Sequence, residues 1–94
     1  RRQLLGAHDL LGEPAWDMLL DLFIQQREGR LLPMSSLCLS ADIPNSSAMK
    51  LIQRLCDAGL LERLPDHRDG RRSLIKISPD TEHRLRAYFA EGTE

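Results

Sequence analysis

In the stretch RLPDHRDGRRSLIKIS, residues 63–78, Arg63, Asp66, His67, Arg68, Asp69, Arg71 and Arg72 crowd around one glycine, Gly70. Guanidinium groups at this density suit phosphate, or the electronegative floor of a narrow groove. The aspartates would repel such a partner if they faced it. Asp66 and Asp69 are better read as braces that orient Arg68, Arg71 or Arg72, or that hold loop amides. A loop of this kind taken alone is most often solvated surface, so its surroundings must decide.

A second group of polar side chains lies upstream, in NSSAMKLIQRLCDAG. At helical spacing, Ala48, Leu51, Ile52 and Leu55 share one face, and Ser46, Lys50 and Gln53 lie opposite. Ser47 and Arg54 flank that polar face on one side and Met49 on the other. Lys50 and Gln53 have the reach and the donors to read base edges, whereas Ser46 and Ser47 suit phosphate, and Asn45 and Arg54 are further candidates for nucleic-acid contact. Met49 could meet a thymine methyl or pack against a neighbouring element. Other chemistry finds no constellation. His8, His67 and His83 stand at no metal-ligand spacing from Cys38 and Cys56, and no Ser, His or Cys sits in a nucleophile motif. No enzyme activity, metal or cofactor is expected, and the two cysteines read as structural thiols.

The elements that would position these residues follow from punctuation and period. Residues 1–13 read as a short segment and connector. Pro14 suits the first turn of a helix over residues 14–29, which Gly29 ends. Trp16, Leu19, Leu20 and Phe23 fill the core face of that helix. Ala15, Met18 and Leu22 widen its apolar surface and are expected to project on a different side. Residues 35–41 read as a short helix and 42–45 as a turn, with Asp42 able to adopt a left-handed conformation there. The polar-faced helix follows and stops at Gly59. LLERL (60–64) and SLIKI (73–77) alternate as strands, joined by the charged loop. Ser78-Pro79 opens a last helix, residues 79–92. Helix, helix, turn, helix, strand, loop, strand, helix is the order of a helix-turn-helix unit (35–59) followed by a wing (60–78). The fold class expected is a single mainly α domain with a small β-hairpin wing, a winged helix-turn-helix.

Bulk properties agree with one small domain over the 94 residues, 41% hydrophobic and 29% charged. The net charge of −1 hides an asymmetry: residues 50–76 carry seven basic groups against four acids. A locally basic surface on an acidic chain is enough for a short-range phosphate contact. No apolar run approaches the length of a membrane span, and no signal-peptide pattern is visible. A cytoplasmic protein is expected, since two cysteines without a CxxC pattern fit a reducing compartment.

The segment SSLCLSADIPNSSAMKLIQRLCDAGLLERLPDHRDGRRSLIKISPD, residues 35–80, resembles the DNA-binding core of MarR-type transcription regulators. Its most specific piece is LCDAGLLERLPDHRDGR, which carries Asp66, Arg68, Asp69 and Arg71 in the order Asp-x-Arg-Asp-x-Arg. IKISP is similar to the strand and helix start that close the family's wing. Thr81 stands where family members usually have Gly. The resemblance implies that the wing arginine, here Arg68, lies along or in the minor groove while the acids brace the loop. It implies double-stranded DNA as partner and transcriptional regulation as function, most simply repression by occupying a promoter. A homodimer is expected, with Met18, Leu22, Tyr88 and Phe89 as interface candidates. No small-molecule effector is identified. The alternative, of another class, is a winged-helix protein-interaction module that does not bind DNA.

Overall fold

The computed structural model describes residues 12–92, so the N-terminal segment with Leu4, Leu5, Leu10 and Leu11 lies outside the described residues. Helix α1 spans Glu13–Arg27. A two-residue strand β1 (Leu32–Pro33) leads into helix α2 (Met34–Leu37) and a 3-10 turn (Cys38–Ser40). Helix α3 covers Asn45–Asp57, strands β2 and β3 cover Leu61–Pro65 and Ser73–Ile77, and helix α4 covers Pro79–Gly92. The sheet is antiparallel with order β1-β3-β2. This is a winged helix-turn-helix, as expected, with one strand more than the hairpin alone. β1 escapes sequence reading because two residues, one of them a proline, carry no alternation; Pro33 is tolerated on an edge strand.

Two glycines end α1 and α3 by the same device. Gly29 and Gly59 both have φ of 80°. The amide of Gly29 donates to the carbonyl of Gln26 and that of Arg30 to Gln25; Gly59 and Leu60 repeat the pattern onto Cys56 and Leu55. Both are Schellman closures, in which a left-handed residue lets the chain reverse while satisfying the last carbonyls. In the second, the following Leu60 drops into the core. The turn between α2 and α3 works differently. No non-glycine among the described residues has positive φ, so Asp42 does not take the left-handed conformation considered for it.

The core joins every element. Trp16, Leu19 and Phe23 from α1 are buried with Leu37 of α2, Ile52 and Leu55 of α3, Ile75 and Ile77 of β3, and Leu85 of α4. Met18 and Leu22 require a correction. They do not project from a separate side of α1 but are fully buried. Helix α1 packs on the 3-10 turn, α3 and β3 at once, so several of its sides face protein. A stripe that looked surplus is the floor of the domain. The exposed apolar residue of α1 is Ile24.

Polar ties fix how the elements meet. Oε1 of Gln26 accepts the Ile77 amide at 2.6 Å, joining α1 to β3. Asp21 accepts the Ser40 hydroxyl, joining α1 to the 3-10 turn. The buried Ser78 hydroxyl donates to Thr81 Oγ1 at 2.8 Å, and the Ser78 carbonyl accepts the Glu82 amide at 2.9 Å to start α4. Thr81 is therefore accommodated as a buried, hydrogen-bonded residue. Helix α4 leans on α1 through Trp16–Tyr88 and Phe23–Phe89 ring contacts, with centroids 6.0 and 5.3 Å apart.

Candidate nucleic-acid interface

Helix α3 buries Ala48, Ile52 and Leu55 and half-buries Leu51, which leaves Asn45, Ser46, Ser47, Met49, Lys50, Gln53 and Arg54 exposed. The division follows the apolar periodicity residue by residue. The side chains of Lys50 and Arg54 make no ion pair among the described residues. Both cations therefore remain available to a phosphate without an acid to displace. Asn45 and Met49 are neighbours on the first turns, with Nδ2 3.9 Å from Sδ.

The wing loop is held from inside. Asp66 is buried although every neighbour in the loop is polar. Its Oδ1 accepts the Arg68 amide at 2.9 Å, and its Oδ2 accepts from Arg72 Nε at 3.1 Å and Nη2 at 3.0 Å. The Arg68 amide, foremost, and the Arg72 guanidinium hold the Asp66 carboxyl below the ordinary carboxylate value, against the effect of burial. Asp69 accepts the Arg71 amide at 3.1 Å and lies 3.4 Å from Arg71 Nε. Backbone bonds from Asp66 to the Arg72 carbonyl and from Arg72 to the Asp69 carbonyl close the loop. Both acids thus turn toward the loop's own amides and arginines. Arg71 keeps a side chain 93% exposed, and Arg68 is exposed as well.

The arginines of the wing line two clefts. Arg63, Arg71 and Arg72 line a cleft of about 260 Å³ against Asn45 and Met49 of α3 and Met34 and Ser35 of α2. Arg68 and His67 line a second cleft, about 560 Å³, with Arg30 and Leu31, and Arg72 borders both clefts. Arg63 is the residue sequence reasoning missed. It stands on β2 and donates from Nη1 to Oε1 of Gln53 at 3.2 Å. The alternation of LLERL shows that Arg63 shares a strand face with Leu61 and Pro65, but not that α3 lies within its reach.

Both cysteines are free thiols. Burial pushes Cys38 up from its ordinary value, and it does the same to Cys56 despite the nearby Arg63 cation. Neither is a thiolate at neutral pH, and the structure gives them packing positions. No cluster of three His, Cys, Asp or Glu among the described residues could hold a metal. No helix among them is long and apolar enough to cross a membrane.

No family model matches the chain, and no curated protein matches it. Solved structures do. A probable transcriptional regulator from Pseudomonas aeruginosa superposes with a TM-score of 0.72 at 26% identity, over 98% of this chain and 65% of that one. NadR in complex with 4-hydroxyphenylacetate gives 0.72 at 26%, over 96% and 60%. MepR of S. aureus, solved as a DNA complex, gives 0.76 at 19%, over 94% and 68%. The chain therefore spans roughly two thirds of the length of the regulators it resembles. None of these is described as an enzyme. With the element order and the superpositions in agreement, the chain has the winged helix-turn-helix fold of these regulators, and its Asp-x-Arg-Asp-x-Arg wing resembles that of the MarR type.

Proposed function

We propose that the domain binds duplex DNA sequence-specifically and serves a bacterial transcription regulator, acting most simply as a repressor. One observation carries the reading: the exposed face of α3, with unpaired Lys50 and Arg54, lies beside a cleft walled by three wing arginines, while the wing's acids are turned inward. Helix α3 enters the major groove. Gln53 and Lys50 meet base edges or phosphate there, Ser46, Ser47 and Asn45 meet the backbone at the helix start, and Arg54 flanks them. The wing crosses to the adjacent backbone, with Arg68 reaching the minor groove. The MepR–DNA structure supports this placement as that of a protein with the same fold.

A homodimer on a near-palindromic site is part of the proposal, because one winged helix covers few base pairs. Tyr88 and Phe89 are half-buried on α4 and remain candidates for its interface; Met18 and Leu22 do not.

A salt titration with a fluorescent mixed-sequence duplex tests the proposal. Binding should weaken with salt at a log–log slope of about −0.9 per phosphate contacted. Absence of binding at low salt overturns it in favour of a protein-interaction module, for which Ile24, Leu31, Leu39 and Met49 are the exposed large apolar side chains among the described residues.

A further inference from the structure

Gln53 is the expected base reader, yet its carboxamide is already engaged on both ends. Nε2 donates to Oδ1 of Asp57 at 2.9 Å, one turn along α3. Oε1 accepts from Nη1 of Arg63 at 3.2 Å, across the cleft on β2. Nη2 of the same guanidinium lies 3.0 Å from Sδ of Met34, which is buried at the start of α2. Arg63 therefore bridges wing strand, recognition helix and the first helix of the helix-turn-helix.

The chemistry of the two partners sets the direction of the amide. A guanidinium only donates and a carboxylate only accepts. The oxygen of Gln53 must then face the wing and the nitrogen must face Asp57. An unrestrained glutamine on an exposed helix face samples several rotamers and both amide orientations, and must lose that freedom to make a bidentate contact. Here one N–H and one oxygen lone pair remain unused, which is the complement that an adenine edge takes up.

We infer that Arg63 is a positioning residue for base readout: it holds the Gln53 carboxamide in one orientation, so that the specificity of α3 depends on a wing-strand side chain that touches no base. The inference rests on the DNA-binding reading above. It also accounts for a wing-strand arginine that donates to the protein's own helix and not to an acid of the wing.

The test uses the full chain and duplexes chosen from a random pool, each base pair then varied in turn. Gln53→Ala should lower discrimination at one base pair by roughly 5- to 150-fold. Arg63→Met should lower it at the same base pair and add nothing in the Gln53→Ala background. Arg63→Lys should restore part of it, since an ammonium also donates to Oε1. Asp57→Ala, which frees the other end of the amide, should act at that base pair too and stands in if Arg63→Met does not fold. A loss that is uniform across sequences, with a salt slope shallower by about one unit, makes Arg63 a phosphate contact and overturns the inference. So does an effect at a different base pair, or none. Failure of the unaltered chain to bind any duplex overturns the DNA-binding reading itself, an outcome distinct from all of these.

Discussion

At the scale of single residues, the wing turns on Asp66. Its carboxylate is worth more to the folded loop than to the unfolded chain, because there it accepts the Arg68 amide and the Arg72 guanidinium. A carboxyl with lowered pKa stabilises at every pH above its unfolded value and ceases to do so as pH falls through the folded value. The wing should therefore stay intact through the mildly acidic range. The Arg68 amide resonance should then shift with a midpoint below 3.8; a midpoint at or above that value rejects the brace. Arg68→Ala should weaken DNA binding by about 1–3 kcal/mol and leave unfolding unchanged, since the side chain is exposed. Asp69→Ala should also weaken binding although it removes a negative charge, because it frees the Arg71 amide and side chain. Tighter binding would make Asp69 a merely repulsive acid. Lys50→Ala should lower affinity evenly across sequences and reduce the salt slope by about one unit. The inward turn of Asp66 and Asp69 was partly legible beforehand: two acids among so many arginines have few reasons to exist on a loop except to hold it.

At the scale of elements, the helix ends were the most readable features and the shortest pieces the least. Gly29 and Gly59 sit where a left-handed residue must close each helix, and a glycine directly after an apolar periodic run announces that position. Nothing lies within 4 Å of where a Cβ at Gly59 would stand, so the cost of a side chain is conformational alone. Gly59→Ala should lower stability by about 1–2 kcal/mol in urea unfolding, without altering the fold. A change under a few tenths would mean the closure tolerates another backbone conformation. The short helix read over residues 35–41 is divided into α2 and a 3-10 turn, a tightening that depends on where Leu37 and Cys38 must enter the core. β1 escaped notice because two residues pair with β3 only after β3 is in place.

At the scale of the whole molecule, burial of α1 on several sides governs what mutation can test. Met18→Glu, placing a charge where no water reaches, should abolish helix content by circular dichroism. Retention of full helicity would return Met18 to the surface. The proposed dimer should appear as twice the chain mass in sedimentation at tens of micromolar, and a monomer mass there rejects it. The sequence by itself determined the order of the longer elements, the glycine-closed ends of α1 and α3, the buried face of α3 and the self-bracing wing, because each of these is set by neighbours within one turn or one hairpin. Only the tertiary structure decided that Met18 and Leu22 lie inside, that Arg71 and Arg68 line different clefts beside the wing, and that Arg63 reaches Gln53. Those facts depend on which element packs against which side of another. A period of 3.6 or 2 locates a residue on its own helix or strand, and says nothing of what stands across the gap.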